Sequence, residues 1–128
     1  MQFDCKEIDI SEDEYGCSIT FSDKEIGIAK DDMTIEELLH YSGQYLMLLR
    51  KYRENELEDD YLYLETIDPN KSGEMQNFLM NISHSRFSLS YEKDVIEIDL
   101  NINEQKFEEI KYIIKKITKK KGQLRIDD

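Results

Sequence analysis

Between residues 78 and 100 apolar side chains recur at almost every second position, the period of strands with one face in a core and the other in water. Taking His84–Ser85 as a tight turn pairs Ile82 with Phe87, Met80 with Leu89 and Phe78 with Tyr91. Taking Lys93–Asp94 as the next turn pairs Tyr91 with Ile96, Leu89 with Ile98 and Phe87 with Leu100. Ser88, Ser90, Glu97, Asp99 and Asn101 fall on the opposite face, so the spacing predicts a half-solvated antiparallel meander.

The first thirty residues carry the same period in three shorter runs. A loop at Ser11–Glu14 sets Ile10 against Tyr15 and Ile8 against Cys17, and a turn at Asp23–Lys24 sets Phe21 against Ile26 and Ile19 against Ile28. From Asn103 the period becomes helical. Phe107, Ile110, Ile113, Ile114 and Ile117 form one stripe, and Asn103 is the expected N-cap. Lys119, Lys120 and Lys121 are expected in the last turn before Gly122, where cations favour the helix dipole. The tail QLRIDD reads as loose or as a short terminal extension.

The middle of the chain supports two readings. Thr34 and Glu37 spell a capping box, and Ile35, Leu38, Leu39, Ser42, Tyr45, Leu46 and Leu49 fit a helical stripe running past Arg50. Ser42–Gly43 interrupts that stripe, and YLMLLRKY is apolar on more sides than an amphipathic helix needs. A short helix over 34–41 followed by a buried strand over 44–52 accounts for both facts, with one long helix as the alternative. YLYLETI is then the partner strand, ended by Asp68–Pro69–Asn70. These elements describe one α+β domain over 1–128: an N-terminal meander in 1–30, further strands in 44–102, and a C-terminal helix in 103–121 covering one face of a mainly antiparallel sheet.

A chain of 128 residues can enclose a single core. Its net charge of -12 lies wholly in residues 1–65, with 18 acids against 6 bases, while residues 66–128 balance 11 against 11. Such a field repels nucleic acid and anionic lipid and steers cationic proteins toward the chain, so binding to nucleic acid or membrane is not expected. The first residues lack the basic and apolar regions of a signal peptide, and no run approaches a membrane span, which points to the cytoplasm. Cys5 and Cys17 form no CxxC pair and fall at positions that imply no disulfide.

Site chemistry is sparse. Asp68 to Gly73 imitates half a calcium loop, but its twelfth position is Leu79 and its second is proline, which makes it a turn. Asn81–Ile82–Ser83 spells a sequon with no secretion signal to use it. His40 and His84 have no adjacent nucleophile or patterned carboxylate, and no phosphate-binding glycine loop or hydrolase motif occurs. No catalytic, cofactor-binding or metal-binding residue is expected, and the chain does not read as an enzyme.

One feature departs from plain scaffold. The connector after YLMLLRKY holds Glu54, Glu56, Glu58, Asp59 and Asp60 and leads into Tyr61 and Tyr63. Carboxylates steer and bind lysine and arginine, and tyrosine supplies rigid contact area, so this stretch suits docking of a basic protein. Residues Tyr45 to Arg50, the acidic gap, Tyr61 to Glu65, and Phe87 to Leu89 with the hairpin that follows resemble the immunity protein ten family of bacterial polymorphic-toxin systems, over about residues 20–117. The resemblance implies a small α+β protein, made beside a secreted toxin, that binds that toxin and protects the producer without catalysis. Joined to the charge, it suggests stoichiometric occlusion of a cationic toxin, such as a basic nuclease, with the five connector acids as electrostatic anchors and Tyr61 and Tyr63 as packing anchors. Two other classes stay open: a DNA-mimicking inhibitor or adaptor, whose carboxylates would be spaced like phosphates, and a small two-carboxylate enzyme. Edge strands of such a sheet also offer a second copy a place to pair, as a homodimer.

Overall fold

In a computed structural model, residues 1–23, 43–55, 57, 60–119 and 121–127 are described. The fold is α+β, and the described residues form ten strands in two sheets and one α-helix. Sheet B is a meander of β2 (Glu7–Glu12), β3 (Gly16–Ser22), β4 (Tyr45–Lys51), β5 (Tyr61–Thr66) and β6 (Gly73–Glu74), antiparallel throughout. Sheet A has β7 (Phe78–Ile82), β8 (Arg86–Tyr91) and β9 (Asp94–Asp99) as an antiparallel core. Its two edges are parallel additions: β1 (Gln2–Asp4) beside β9, and β10 (Gln123–Ile126) beside β7.

Alternation decides which faces meet. Ile19 and Phe21 of β3, Leu46 and Leu48 of β4, and Leu62 and Leu64 of β5 point inward and are buried, as are Met80, Ile82, Phe87, Leu89, Ile96 and Ile98 of sheet A. The two inner faces touch where the Phe21 and Phe87 rings stack with centroids 4.9 Å apart. Helix α1 (Glu104–Thr118) is wedged against β3 and β4 of one sheet and β10 of the other. Its stripe, Phe107, Ile110, Ile113, Ile114 and Ile117, is buried as the spacing predicts, and the Asn103 side chain accepts the Lys106 N–H as N-cap. Among the described residues no helix is long and apolar enough to cross a membrane.

Residues 45–51 form a strand, which rules out a single long helix through them. The expected helix over 34–41 lies outside the described residues. The β7–β8 register is the expected one, with Ile82 opposite Phe87, Met80 opposite Leu89 and Phe78 opposite Tyr91. The next hairpin turns one residue earlier, at Glu92–Lys93, which shifts the pairing by two so that Leu89 faces Ile96 and Phe87 faces Ile98; Glu92 takes the left-handed conformation that such a tight turn needs, at φ 52°. The first hairpin slips by four: Ile8 faces Phe21 and Ile10 faces Ile19. Asp13 is the reason, because its Oδ1 accepts the Tyr15 and Gly16 N–H groups and closes the loop nearer the C-terminus than Ser11–Glu14. Both sides of β3 are taken by β2 and β4, with Phe21 opposite Leu46 and Ile19 opposite Leu48; Ile26 and Ile28, the expected partners, lie outside the described residues.

Helix α1 ends at Thr118, earlier than 121, with Lys119 as its C-cap at φ 25° and Lys115 and Lys116 as the cations of the last turn. The tail is ordered as β10, with Leu124 opposite Met80 and Ile126 opposite Ile82, extending the inner apolar face. The calcium-loop look-alike is a turn: Asp68 accepts the Asn70 N–H and caps a 3-10 turn over Pro69–Lys71.

Candidate functional site: the outer face of sheet B and the β4–β5 connector

Residues directly opposite each other in a sheet share a face, so the registers define what sheet B shows to solvent. One outer row runs Ser11, Ser18, Leu49, Tyr63, Glu74; its neighbour runs Asp9, Thr20, Met47, Glu65. Tyr61 stands opposite Lys51 at the end of the hairpin, where the connector departs. The Tyr61 and Tyr63 rings stack at 5.9 Å between centroids and 21° between planes. Tyr61 is 39% exposed, and Leu49, Met47 and Tyr63 are partly buried beside it. The result is an apolar and aromatic strip in the middle of the face, bordered by Asp9, Glu65 and Glu74. Burial and the nearby Glu65 carboxylate push the Tyr45 phenol pKa up, which keeps that ring neutral at the upper end of the strip.

The connector adds a second feature. Leu57, 98% exposed, is the most exposed large apolar side chain among the described residues, and its N–H is donated to Asn55 Oδ1. An apolar residue so exposed within an acidic connector has no folding role. Sequence periodicity could not flag it, because a single leucine among charges sits in no repeat. Glu54 is also solvent-facing and makes only a loose pair with Lys51 at 3.9 Å. Glu56, Glu58 and Asp59 lie outside the described residues.

Asp60 belongs elsewhere. Its carboxylate accepts from Arg50 Nε at 2.7 Å, from Arg50 Nη2, and from the Arg53 backbone N–H at 2.9 Å. Arg50 is buried because β4 alternation turns it inward with Leu46 and Leu48, and its Nη1 donates to the Lys116 carbonyl at 2.6 Å near the end of α1. Burial alone would raise the Asp60 pKa, but the Arg53 N–H, the Arg50 guanidinium and the Lys119 charge together bring it below the ordinary carboxylate value. Asp60 therefore ties the β4–β5 hairpin to α1, and its charge is compensated within the chain. Of the seven residues read from the sequence as partner contacts, the structure brings Tyr61 and Tyr63 together, leaves Glu54 at the surface in a loose pair with Lys51, and turns Asp60 inward.

His84 Nε2 lies 2.6 Å from Glu104 Oε2, and its ring packs on Phe107 at 3.8 Å, which joins the β7–β8 turn to the start of α1. His40 is outside the described residues. Cys5 and Cys17 are free thiols. Among the described residues no cluster of three or more histidine, cysteine, aspartate and glutamate side chains could hold a metal ion. Comparisons of the chain with models of protein families, with curated proteins and with solved structures found no match.

Proposed function

We propose that this chain is a stoichiometric protein inhibitor, an immunity protein that binds a secreted bacterial toxin domain of basic character through the outer face of sheet B and the β4–β5 connector. The observation that carries the reading is the arrangement of Tyr61, Tyr63 and Leu49 with the exposed Leu57 beyond them, bordered by Glu54, Glu65 and Glu74. Stacked tyrosines and a protruding leucine are packing anchors, and a carboxylate border with a chain charge of -12 favours a cationic partner both in encounter and in contact. The resemblance of Tyr45–Arg50 and Tyr61–Glu65 to an immunity family agrees with this chemistry from a separate direction. The inhibitor needs no reaction of its own; it acts by covering the toxin.

The test is co-purification with the C-terminal domain of a large secreted protein encoded beside it, followed by titration. A one-to-one complex and rescue of growth in cells expressing the toxin domain are expected. Tyr61→Ala with Tyr63→Ala should weaken the complex tenfold or more, about 1.4 kcal/mol, with the circular dichroism spectrum retained. Absence of a complex, or rescue by a variant that no longer binds, would overturn the reading.

A further inference from the structure

At the end of the sandwich where α1 stops, a cavity of about 710 Å³ is lined by Arg50, Arg53, Lys116, Lys119 and Lys121, with Tyr52 in its wall and Asp60 as its only carboxylate among the described residues. Five cations gathered in one concavity are unexpected in a chain of net charge -12. Part of the cluster has an internal explanation. The last carbonyls of a helix are a negative pole that attracts cations, and Arg50 meets it by donating to the Lys116 carbonyl while pairing with Asp60. Lys116 pairs with Glu12 of β2, and Lys121 Nζ donates to the Asp60 backbone carbonyl at 3.0 Å.

The rest is matched less fully. Among the described residues the side chains of Arg53 and Lys119 have no carboxylate at ion-pair distance, although the Lys119 charge is felt at Asp60, and Lys121 Nζ meets a neutral carbonyl. The Tyr52 hydroxyl is buried in the same wall near the Cys17 thiol and the Lys116 ammonium, without a hydrogen bond of ordinary geometry to either. The cations reach the cavity from three places in the sequence: β4, the residue pair after it, and the end of α1. Lys116, Lys119 and Lys121 come from one basic run at the end of α1, and Arg50 and Arg53 join them only when the β4–β5 hairpin docks against the helix.

We propose that this cavity is a binding site for a small polyanion bearing two or more phosphate groups. A single carboxylate or phosphate would leave most of the cations unmatched in a cavity of this volume, whereas a di- or triphosphate presents several oxygens to Arg53, Lys119 and Lys121 at once. A long nucleic acid is disfavoured, because its phosphates would run out of the cavity onto a surface of opposite preference. The site shares the ends of the β4–β5 connector, Arg53 and Asp60, but uses none of the tyrosine face.

Calorimetric titration of the full chain with inorganic triphosphate and, separately, with a nucleoside triphosphate tests the assignment. Saturable one-to-one binding is expected, weakened at least tenfold by Arg53→Gln with Lys119→Gln. Both side chains are exposed, so this variant should fold. Lys6→Gln with Lys93→Gln, which changes the net charge equally at exposed positions away from the cavity, should leave binding within twofold. Equal affinity for the two probes identifies the phosphate chain as the recognised group, and tighter nucleotide binding adds the base to it. No saturable binding of either probe at low millimolar concentration, or equal loss in the two double variants, would sink the proposal.

Discussion

Replacing Asp60 with alanine probes the junction that joins hairpin, helix and cavity. The substitution strips Arg50 of its two side-chain contacts to the carboxylate and leaves a guanidinium whose side chain is only 10% exposed with the Lys116 carbonyl as its remaining described hydrogen-bond acceptor. An uncompensated charge at that depth costs roughly 3 kcal/mol, the low end for breaking a buried pair, since Asp60 itself is 20% exposed and some water reaches the site. For a chain of this size that corresponds to a fall in melting temperature of about 10 °C. Arg50→Met should cost less, about 2 kcal/mol, because the abandoned carboxylate keeps the Arg53 N–H and can hydrate. The double variant should recover about 2 kcal/mol relative to the sum of the single effects. The pH dependence has a definite sign. The folded pKa of Asp60 lies below its unfolded value, so the stabilisation is complete above the unfolded value of about 3.9 and fades as pH falls through it toward the folded one. Urea unfolding of the native chain and Asp60→Ala should therefore show a gap at pH 7 that narrows toward pH 3. Additive single effects in the cycle, or a gap independent of pH, would refute the pairing as the source of stability.

Gly16→Ala should destabilise by about 2 kcal/mol in the same urea assay, because the added methyl would sit 2.3 Å from the Arg50 carbonyl and force β3 and β4 apart. Removing residues 123–128 uncovers the β7 edge and strips the half-buried Leu124 and Ile126 from the core; a loss of about 2 kcal/mol and concentration-dependent self-association are expected by unfolding and light scattering. Burial pushes both thiol pKa values up, against weaker opposing contacts that include Tyr52 at Cys17 and the Ser22 backbone at Cys5. Thiol reagent at pH 8 should accordingly label the folded chain more than tenfold slower than free cysteine, with Cys17 reacting last, and rapid labelling of Cys17 in the native state would contradict its burial.

Hydrophobic alternation revealed which residues face the core far better than which residues pair. The two hairpins that slipped did so by two and by four residues, even numbers that leave every side chain on its expected face. A period of two cannot distinguish such registers; the turns do, and at Asp13 and Glu92 they depend on backbone geometry that composition does not announce. The parallel edges β1 and β10 were illegible for a different reason, since strands of three and four residues pairing with partners far away in the sequence leave no local pattern. At the candidate site, Tyr61 and Tyr63 could be read because strand alternation puts odd-numbered residues of β5 on one face. The role of Asp60 could not be read from an acidic run in which each carboxylate resembles the next. A signal did exist: Arg50 shares its parity with Leu46 and Leu48, and an arginine on a core face requires an anion close by.

The two parallel edges of sheet A also govern the order in which the chain can assemble. Phe3 waits for Ile98, so β1 leaves the ribosome long before its partner exists, while β2 and β3 can already pair. Sheet B is a meander of sequential neighbours, yet the strands that close sheet A come from opposite ends of the sequence. During synthesis the part of the inner face of β3 and β4 that the helix covers therefore stands open until residues 104–118 fill the wedge. A stalled or truncated chain would present that apolar sheet to its surroundings, which makes the last thirty residues the guard against aggregation of the first hundred.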